Sequence, residues 1–207
     1  MAFLMTVKEA VLRPISLSTI PRRNLQWILY SAVNKIDKER IKIIGPDLAC
    51  AEWLVKCGAS VKFHGKSKTI EDYNLIGATV GPEAKLAEVY AEEATIMSTG
   101  FLHFENVKEV QKLRFKSCGL FDDGCISELV RHCNKSIKDI AIENCDVTNR
   151  GLQLIPSFEC LQRLTLIDLP SVKNVDTVYE DLCKALPGCN ICLTSGGISR
   201  RSFPDDA

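Results

Sequence analysis

The sequence lacks most of the features that would point directly to a function. Its 26 basic and 26 acidic residues cancel, so it has no basic excess of the kind that nucleic-acid-binding domains carry. It contains no run of about 18 apolar residues, so we predict no membrane-spanning helix. Aromatic residues make up only 7% of the chain, and the three histidines lie far apart, at His64, His103 and His132.

Sequence motifs of catalysis are missing as well. The chain has no Gly-rich phosphate loop, no paired-His zinc motif and no nucleophile elbow. The single CxxC, Cys189 to Cys192, has no second pair, and positions three apart in a strand face opposite sides. We therefore predict that the protein is not an enzyme. A Cys–His pair that forms only in the fold stays open as an alternative.

Cysteine, by contrast, is abundant. The ten cysteines are scattered along the chain and do not follow the regular spacing of a small secreted scaffold. This distribution favours a reducing compartment in which most thiols are buried as small apolar groups.

Residues 1–23 differ in composition from the rest of the chain. Four basic residues stand against one acid, Glu9, among Ser, Thr and aliphatic residues. Mitochondrial transit peptides have this acid-poor composition, so we predict one over residues 1–23. The alternative is an ordinary N-terminal segment.

Residues 24–85 predict a small globular N-terminal domain. A helix with apolar residues on one face follows Asn24, which is a plausible N-cap. A second helix begins at Pro46 and ends before Gly58, which suits a left-handed cap. The alternating stretch "SVKFHG" predicts a short strand, and the polar stretch 66–82 predicts a loop.

Residues 86–193 contain an internal repeat. The pattern apolar-x-x-apolar-x-apolar begins at Val110, Ile137, Leu161 and Leu186, with a weaker copy at Leu86, so the steps are 24 to 27 residues. This period is typical of leucine-rich repeats. We predict an α/β fold, a leucine-rich repeat solenoid of about four to five repeats, capped by residues 24–85 and followed by a polar, disordered tail over 194–207. The alternative is a chance alternation of strands and helices.

Two cysteines support this repeat. Cys118 and Cys145 each lie five residues after the middle apolar position of their repeat, where this class places an Asn or Cys that bonds the backbone of the turn. In the second of these repeats we predict the strand over Asp139–Ile142 and the start of a helix near Thr148–Gly151.

A cation site is physically plausible where the cap meets the first repeat. The helix that ends near Cys57 leaves carbonyl groups with partial negative charge, and the acidic pair Glu92–Glu93 lies in the weak first repeat. Mg²⁺ binds one or two protein oxygens together with waters.

Several segments together resemble the coupling factor B family of animal mitochondria, also known as ATP synthase subunit s. They are "WILYSAVNKIDKERIKIIGPDLACAEWLVKCGASVKFHG", "DYN", "IMSTGF" and "LIDLPSV", and the resemblance runs from about Trp27 to Leu193. It implies a peripheral protein on the matrix side of the mitochondrial inner membrane. It also implies a non-enzymatic role in which contact with the proton-conducting sector of ATP synthase limits proton leak.

The resemblance also implies site residues. A Mg²⁺ at the junction of the two domains would be held by Gly58 and Glu92, although the family has Thr-Asp-Ser where this chain has Glu92-Glu93-Ala94. The family carries a Cys-x-Cys pair in its first strong repeat, where this chain has Lys116 and Cys118. Cys118 is therefore a candidate functional thiol without its partner, and we interpret it chiefly as a turn residue.

Two alternatives to the ATP synthase role stay open. The first is a related leucine-rich repeat protein that helps to assemble the membrane arm of respiratory complex I. The second is a substrate adaptor of cytosolic ubiquitin ligases, which would need a helical scaffold-binding module before the repeats.

Overall fold

The structure is a computed structural model that describes residues 22–202, with side chains from residue 25 onward. The predicted leader lies outside the described residues, apart from Arg22 and Arg23, which begin the first helix. The described helices are α1 Arg22–Val33, α2 Lys38–Ile44, α3 Pro46–Lys56, α4 Tyr73–Thr79, α5 Asp123–Cys133, α6 Asn149–Leu152 and α7 Val175–Ala185, with 3₁₀ segments at Ser98–Phe104 and Ile155–Ser157. The described strands are β1 Ala59–Phe63, β2 Leu86–Glu92, β3 Lys112–Lys116, β4 Asp139–Glu143, β5 Arg163–Ile167, β6 Asn190–Ser195 and β7 Ile198–Ser202.

The described strands form one seven-stranded mixed sheet in sequence order. Strands β2 to β6 are parallel, whereas β1 and β7 pair antiparallel with their neighbours at the two ends. Parallel neighbours need crossover connections, and here helical segments supply them. Residues 24–85 and 86–193 therefore share one sheet, because β1 pairs with β2, and they share one hydrophobic core.

The parallel strands repeat with a regular geometry. Val89, Leu113, Ile140, Leu164 and Ile191 are in register and buried. The residue just after each of β2 to β5 has a positive φ, between 46° and 52°, at Glu93, Ser117, Asn144 and Asp168. The N–H of each donates to a carbonyl of the next strand, as Ser117 does to Glu143 at 2.8 Å. Each strand thus ends in the same turn, which stacks on the turn of its neighbour.

The predicted frame of the last repeat is wrong by two residues. Leu164 and Leu166 are in register with Ile191 and Leu193, whereas the sequence pattern placed Cys189 and Ile191 there. Cys189 is also buried, so the apolar pattern fits both frames. The chain turns before β6, where the Cys189 N–H donates to the Leu186 carbonyl.

The N-terminal end of the sheet is closed by helix α3, of whose eleven residues nine are buried. Trp53 on α3 stacks on His103 with ring centroids 4.9 Å apart and contacts Phe101 edge-on at 5.7 Å. Gly100 passes beneath this indole, where a Cβ atom would collide with the Trp53 ring. The absent side chain therefore permits the close approach.

Helix α1 differs from its predicted form. It begins at Arg22, so the predicted N-cap Asn24 lies inside it, and most of its apolar residues are exposed, with Trp27 at 54% and Leu29 at 55%. Its end is fixed by the buried Asn34. The Asn34 Nδ2 donates to the carbonyls of Tyr30 and Thr95, both at 2.8 Å, and its Oδ1 accepts from the Met97 N–H at 2.9 Å.

Two polar segments are more ordered than predicted. The stretch 66–82 contains helix α4, which the Asp72 side chain caps. The predicted disordered tail is wrong for residues 194–202, because β6 continues to Ser195 and β7 pairs back against it. Gly196 and Gly197 both have positive φ and form the turn between them. Strand β7 is an edge strand with mostly polar side chains, so the sequence has no apolar periodicity there from which a strand could be predicted.

Candidate binding face

We define the strand face as the surface formed by side chains of β2 to β5 that point away from the buried core. The parallel register arranges these side chains in three rows across the strands. The first row contains Glu88, Lys112, Asp139 and Arg163, the middle row Tyr90, Arg114, Ala141 and Thr165, and the third row Glu92, Lys116, Glu143 and Ile167.

The first row alternates in charge and is largely paired. Lys62 on β1 contacts Glu88 with Nζ 2.9 Å from Oε1, and Lys112 approaches the other oxygen at 3.6 Å. Arg163 contacts the buried Asp139 at 3.0 Å. Opposite charges directly across neighbouring strands stabilise the register, so the ion pairs of this row help to hold the strands together.

The environment of Glu88 changes its acidity. Burial raises the pKa of Glu88, but hydrogen bonds from Tyr90 and Lys62 and the charge of Lys112 outweigh it, so the pKa lies below its usual 4.5. Burial and the same hydrogen bond raise the pKa of Tyr90 to about 12. Glu88 is therefore a structural anion that is already neutralised by its neighbours.

The third row holds one close ion pair. The Lys116 Nζ lies 2.7 Å from the Glu92 Oε1, and both side chains are substantially exposed. The bond with Glu92 and its charge raise the pKa of Lys116. Exposed ion pairs of this kind contribute little to the stability of the fold. The main consequence of this pair is that the Glu92 carboxylate already has a cationic partner.

The middle row contains a single charge, which is unpaired; in the third row Glu143 also has no ion-pair partner among the described residues. Arg114 is exposed and forms no ion pair or side-chain hydrogen bond with any residue among those the structure describes. Next to it lie the short side chains of Ala141 and Thr165. These small residues leave a cavity of about 520 Å³ over the sheet, which Arg114, Tyr90 and Ile167 also line.

The predicted Mg²⁺ residues lie at one edge of this cavity. Gly58 and Glu92 both line it, and Gly58 has the left-handed φ of 95° that was predicted. The Cys57 carbonyl at the end of α3 already accepts from the Thr95 N–H at 2.8 Å. No cluster of three or more His, Cys, Asp or Glu side chains suited to a metal occurs among residues 22–202. Lys116 is paired with the Glu92 carboxylate at this corner, and the Glu71 side chain lines the same cavity.

Cys118 occupies the turn position that was predicted for it. Its buried thiol donates to the carbonyls of Ala91 at 3.5 Å and Lys116 at 3.4 Å. Cys145 repeats this one strand later, with bonds to Phe115 at 3.7 Å and Glu143 at 3.3 Å. Interaction with the neighbouring Cys145 thiol lowers the pKa of Cys118, and interaction with Cys118 together with burial raises the pKa of Cys145. A functional role of the Cys118 thiol stays a prediction.

The histidines have three unrelated environments. His64 is exposed, with Nε2 2.8 Å from the Glu109 carbonyl. His103 is packed against Trp53, and its Nδ1 lies 2.8 Å from the Gly100 carbonyl. His132 on α5 approaches Glu128 at 3.4 Å. The structure therefore does not bring the histidines together.

Sequence reasoning missed the strand face. The signal was available, since stacking the repeats aligns positions 88, 112, 139 and 163 and shows their alternating charge. The same alignment places Arg114 beside Ala141 and Thr165. What it could not show is that Arg114 lacks a partner, which depends on side-chain reach.

These features define a class: an α/β protein of stacked strand–turn units whose open sheet face presents a shallow, partly charged trough. None of the described helices is long and apolar enough to cross a bilayer. No family model matches the chain.

Comparison with known proteins identifies the family. "ATP synthase subunit s, mitochondrial" of Bos taurus is 35% identical over 171 residues, which cover 81% of this chain and 86% of the relative. The Rattus norvegicus protein of the same name is 34% identical over 185 residues, or 88% and 92% of the two chains. The chain belongs to the ATP synthase subunit s family. A more distant relative is "Distal membrane arm assembly component 2" of Drosophila melanogaster, 22% identical over 189 residues, which cover 86% of this chain and 66% of the relative.

Proposed function

We propose that this protein is a non-enzymatic regulatory subunit of mitochondrial ATP synthase, which supports proton-driven ATP synthesis by limiting proton leak. The observation that carries this proposal is family membership over most of the chain, at 35% identity to the bovine subunit s. The open strand face supports action by protein contact, because a wide, shallow trough offers a surface to a macromolecule and encloses no small substrate.

The described strands and turns form a short leucine-rich repeat solenoid in this proposal. Units that recur every 24 to 27 residues have the period of that class. Each of the four turns after β2 to β5 has one left-handed residue, and two of them have a buried cysteine bonded to two backbone carbonyls. Stacked repeats of this kind present extended binding surfaces and need a cap at each end.

The protein acts peripherally, on the matrix side of the inner membrane. The mitochondrial names of the relatives and the acid-poor residues 1–23 support import into this compartment. Its partner is the ATP synthase complex, through the proton-conducting membrane sector.

The corner at Gly58 and Glu92 binds Mg²⁺ in this proposal. The two residues share one cavity edge, and Mg²⁺ commonly takes one protein carboxylate, carbonyl oxygens and several waters. Because Lys116 contacts Glu92 at 2.7 Å, the metal competes with that ammonium for the carboxylate. Cys118 stays a candidate functional thiol, and its burial requires a local opening of the turn before it reacts.

A second candidate function is assembly of the membrane arm of respiratory complex I. The Drosophila relative named as a distal membrane arm assembly component favours it, although its identity is only 22%.

The test uses mitochondria from cells that lack the protein. The ATP synthase role predicts faster respiration in the absence of ADP, which an inhibitor that blocks the proton-conducting sector slows again. It also predicts a lower membrane potential and less ATP per oxygen consumed, and the wild-type chain restores the normal values. Unchanged coupling with an isolated loss of complex I-linked respiration, while succinate-linked respiration stays normal, would favour the second candidate and contradict the first.

A further inference from the structure

We propose that the trough on the strand face binds an amphipathic helix of a protein partner, and that Arg114 pairs with an acidic side chain of this helix. The inference rests on the proposed function in that the partner belongs to ATP synthase. It goes further by assigning the binding surface, the residue at its centre and the charge of the segment that it binds.

The first argument is the isolation of Arg114. In the rows on either side of it, Glu88, Asp139 and Glu92 have basic partners within 3.6 Å, whereas Glu143 has none among the described residues. Arg114 has none among the described residues, although it lies at the centre of the face with Tyr90 and Ala141 directly beside it in register. A guanidinium presents a planar fork of donors that matches a carboxylate. The unmet bonding capacity at this point therefore fits an external acid.

The second argument is the shape of the trough. Ala141 and Thr165 form its floor, and the half-buried Ile167 adds apolar surface at one side. Neighbouring strands are about 4.8 Å apart, so β3 to β5 span about 10 Å. An α-helix with its side chains is about 10–12 Å across. The width fits one helix, whose small apolar residues would lie on Ala141 and Thr165 while an acidic residue reaches Arg114.

The third argument is the charge beside the trough. A second cavity, of about 360 Å³, lies at the start of the same strands, and five basic residues line it against two acids. The basic residues are Lys62, Lys66, Lys112, Lys138 and Arg163. Both acids, Glu88 and Asp139, are engaged in the ion pairs described above. The trough itself is lined by Glu71, Glu92 and Glu143 together with Arg114 and Lys116, so the two cavities together carry seven basic and five acidic side chains. An acidic residue of the helix is therefore favoured at Arg114 and at the start of the strands, and not beside Glu143.

The experiment places a photo-crosslinking amino acid at Thr165 of the tagged full-length chain in mitochondria. Its matched control carries the same group at the exposed Glu180 on α7, which is outside the trough. Crosslinked peptides are then identified by mass spectrometry. We expect a crosslink from Thr165 to a peptide with Asp or Glu on one side of an apolar helical stripe, and little or none from Glu180.

Charge substitutions at Arg114 complete the test. We expect R114E to reduce the Thr165 crosslink about tenfold or more, since a buried charge pair would become a repulsion. R150E is the matched control, because Arg150 is an exposed arginine on α6 with no side-chain partner among the described residues. Melting curves check folding, and R114Q, which removes the charge without adding an acid, takes the place of R114E should that variant melt early.

The outcomes separate this inference from the proposed function. No crosslink from Thr165, a crosslink to lipid, a crosslinked peptide that is basic or uncharged, or equal effects of R114E and R150E would each overturn the assigned surface. An acidic helix lost with R114E but belonging to a protein outside ATP synthase would support the surface and refute the proposed function. If ATP synthase co-purifies with the wild-type chain and equally with R114E, the proposed function is supported and the assigned surface is refuted.

Discussion

Helix α3 buries nine of its eleven residues at one end of the sheet, whereas helix α7, of the same length, buries only Leu182 at the other. The N-terminal end holds a continuous cluster of aromatic rings around Phe101. The C-terminal end is covered by a polar hairpin, in which the half-buried Arg200 pairs at 2.5 Å with the exposed Asp176 of α7.

The polar groups of the two ends differ in the same way. In α3 the buried Glu52 accepts from Arg40 at 2.9 Å and from Tyr73 at 3.2 Å, and Asp47 accepts from the Leu86 N–H at 3.0 Å. These bonds tie α2, α4 and β2 to one helix. The comparison teaches that the N-terminal end acts as the rigid base of the sheet, while the C-terminal end opens more easily.

The largest expected effect comes from the aromatic cluster. Phe101→Ala should lower the free energy of unfolding by about 3–5 kcal/mol, because it leaves a cavity among Trp53, Phe104 and Phe121. Leu182→Ala, at the other end, should cost about 2 kcal/mol, since α7 has few buried neighbours. Urea denaturation measures both. Equal losses would contradict the contrast between the ends.

The next effect concerns two asparagines that bridge segments in similar ways. Asn34→Ala should cost about 2–3 kcal/mol, because it leaves the partly buried Thr95 carbonyl and the buried Met97 N–H without this partner. Asn149→Ala is the control, since Asn149 bonds both the N–H and the carbonyl of Lys173 but at the surface. We expect it to cost about 0.5–1 kcal/mol in the same denaturation series, because water replaces its bonds. The reverse order would break the comparison.

A smaller effect concerns pH. Burial against Trp53 lowers the pKa of His103 below its usual 6.5. Below that value the unfolded chain binds a proton that the folded chain resists, so stability should fall as the pH drops from 7 to 5. His103→Gln should flatten this part of the profile in thermal melts, whereas His64→Gln should leave it unchanged. A profile that keeps its slope in His103→Gln would exclude His103 as the cause.

The smallest effect is that of Mg²⁺. Millimolar Mg²⁺ should stabilise the wild-type chain by about 1 kcal/mol, read as a rise in melting temperature. Glu92→Ala should abolish the rise, and Glu93→Ala, at the adjacent exposed position, should not. Lys116→Ala should enlarge it, since the competing ammonium is gone. The absence of any rise in the wild type would remove the site.

The sequence carried enough information for the regular part of the sheet. Strand β4 was predicted to within one residue, and Cys118 and Cys145 were correctly placed in the turns. The strand follows from apolar periodicity, and the turn positions follow from a cysteine that recurs at a fixed distance after the strand. Both signals are local in the sequence, so they do not depend on distant contacts.

The failures arise where tertiary context decides. Residues 198–202 form an edge strand because their backbone pairs with β6 after a Gly-Gly turn. Their side chains are mostly polar, a composition that is typical of a loop. The apolar residues of α1 fit a buried helix face, yet Trp27 and Leu29 are exposed. Arg114 was not recognised, because its importance lies in the partners that it lacks within the described chain.

Affinity purification of the tagged full-length protein from mitochondria, in mild detergent and read by mass spectrometry, tests the central claim most directly. The account predicts that subunits of ATP synthase, including its proton-conducting membrane sector, are enriched, and that Arg114→Glu reduces this enrichment while Arg150→Glu does not. Enrichment of complex I membrane-arm proteins without ATP synthase would contradict the proposed function and favour the assembly role.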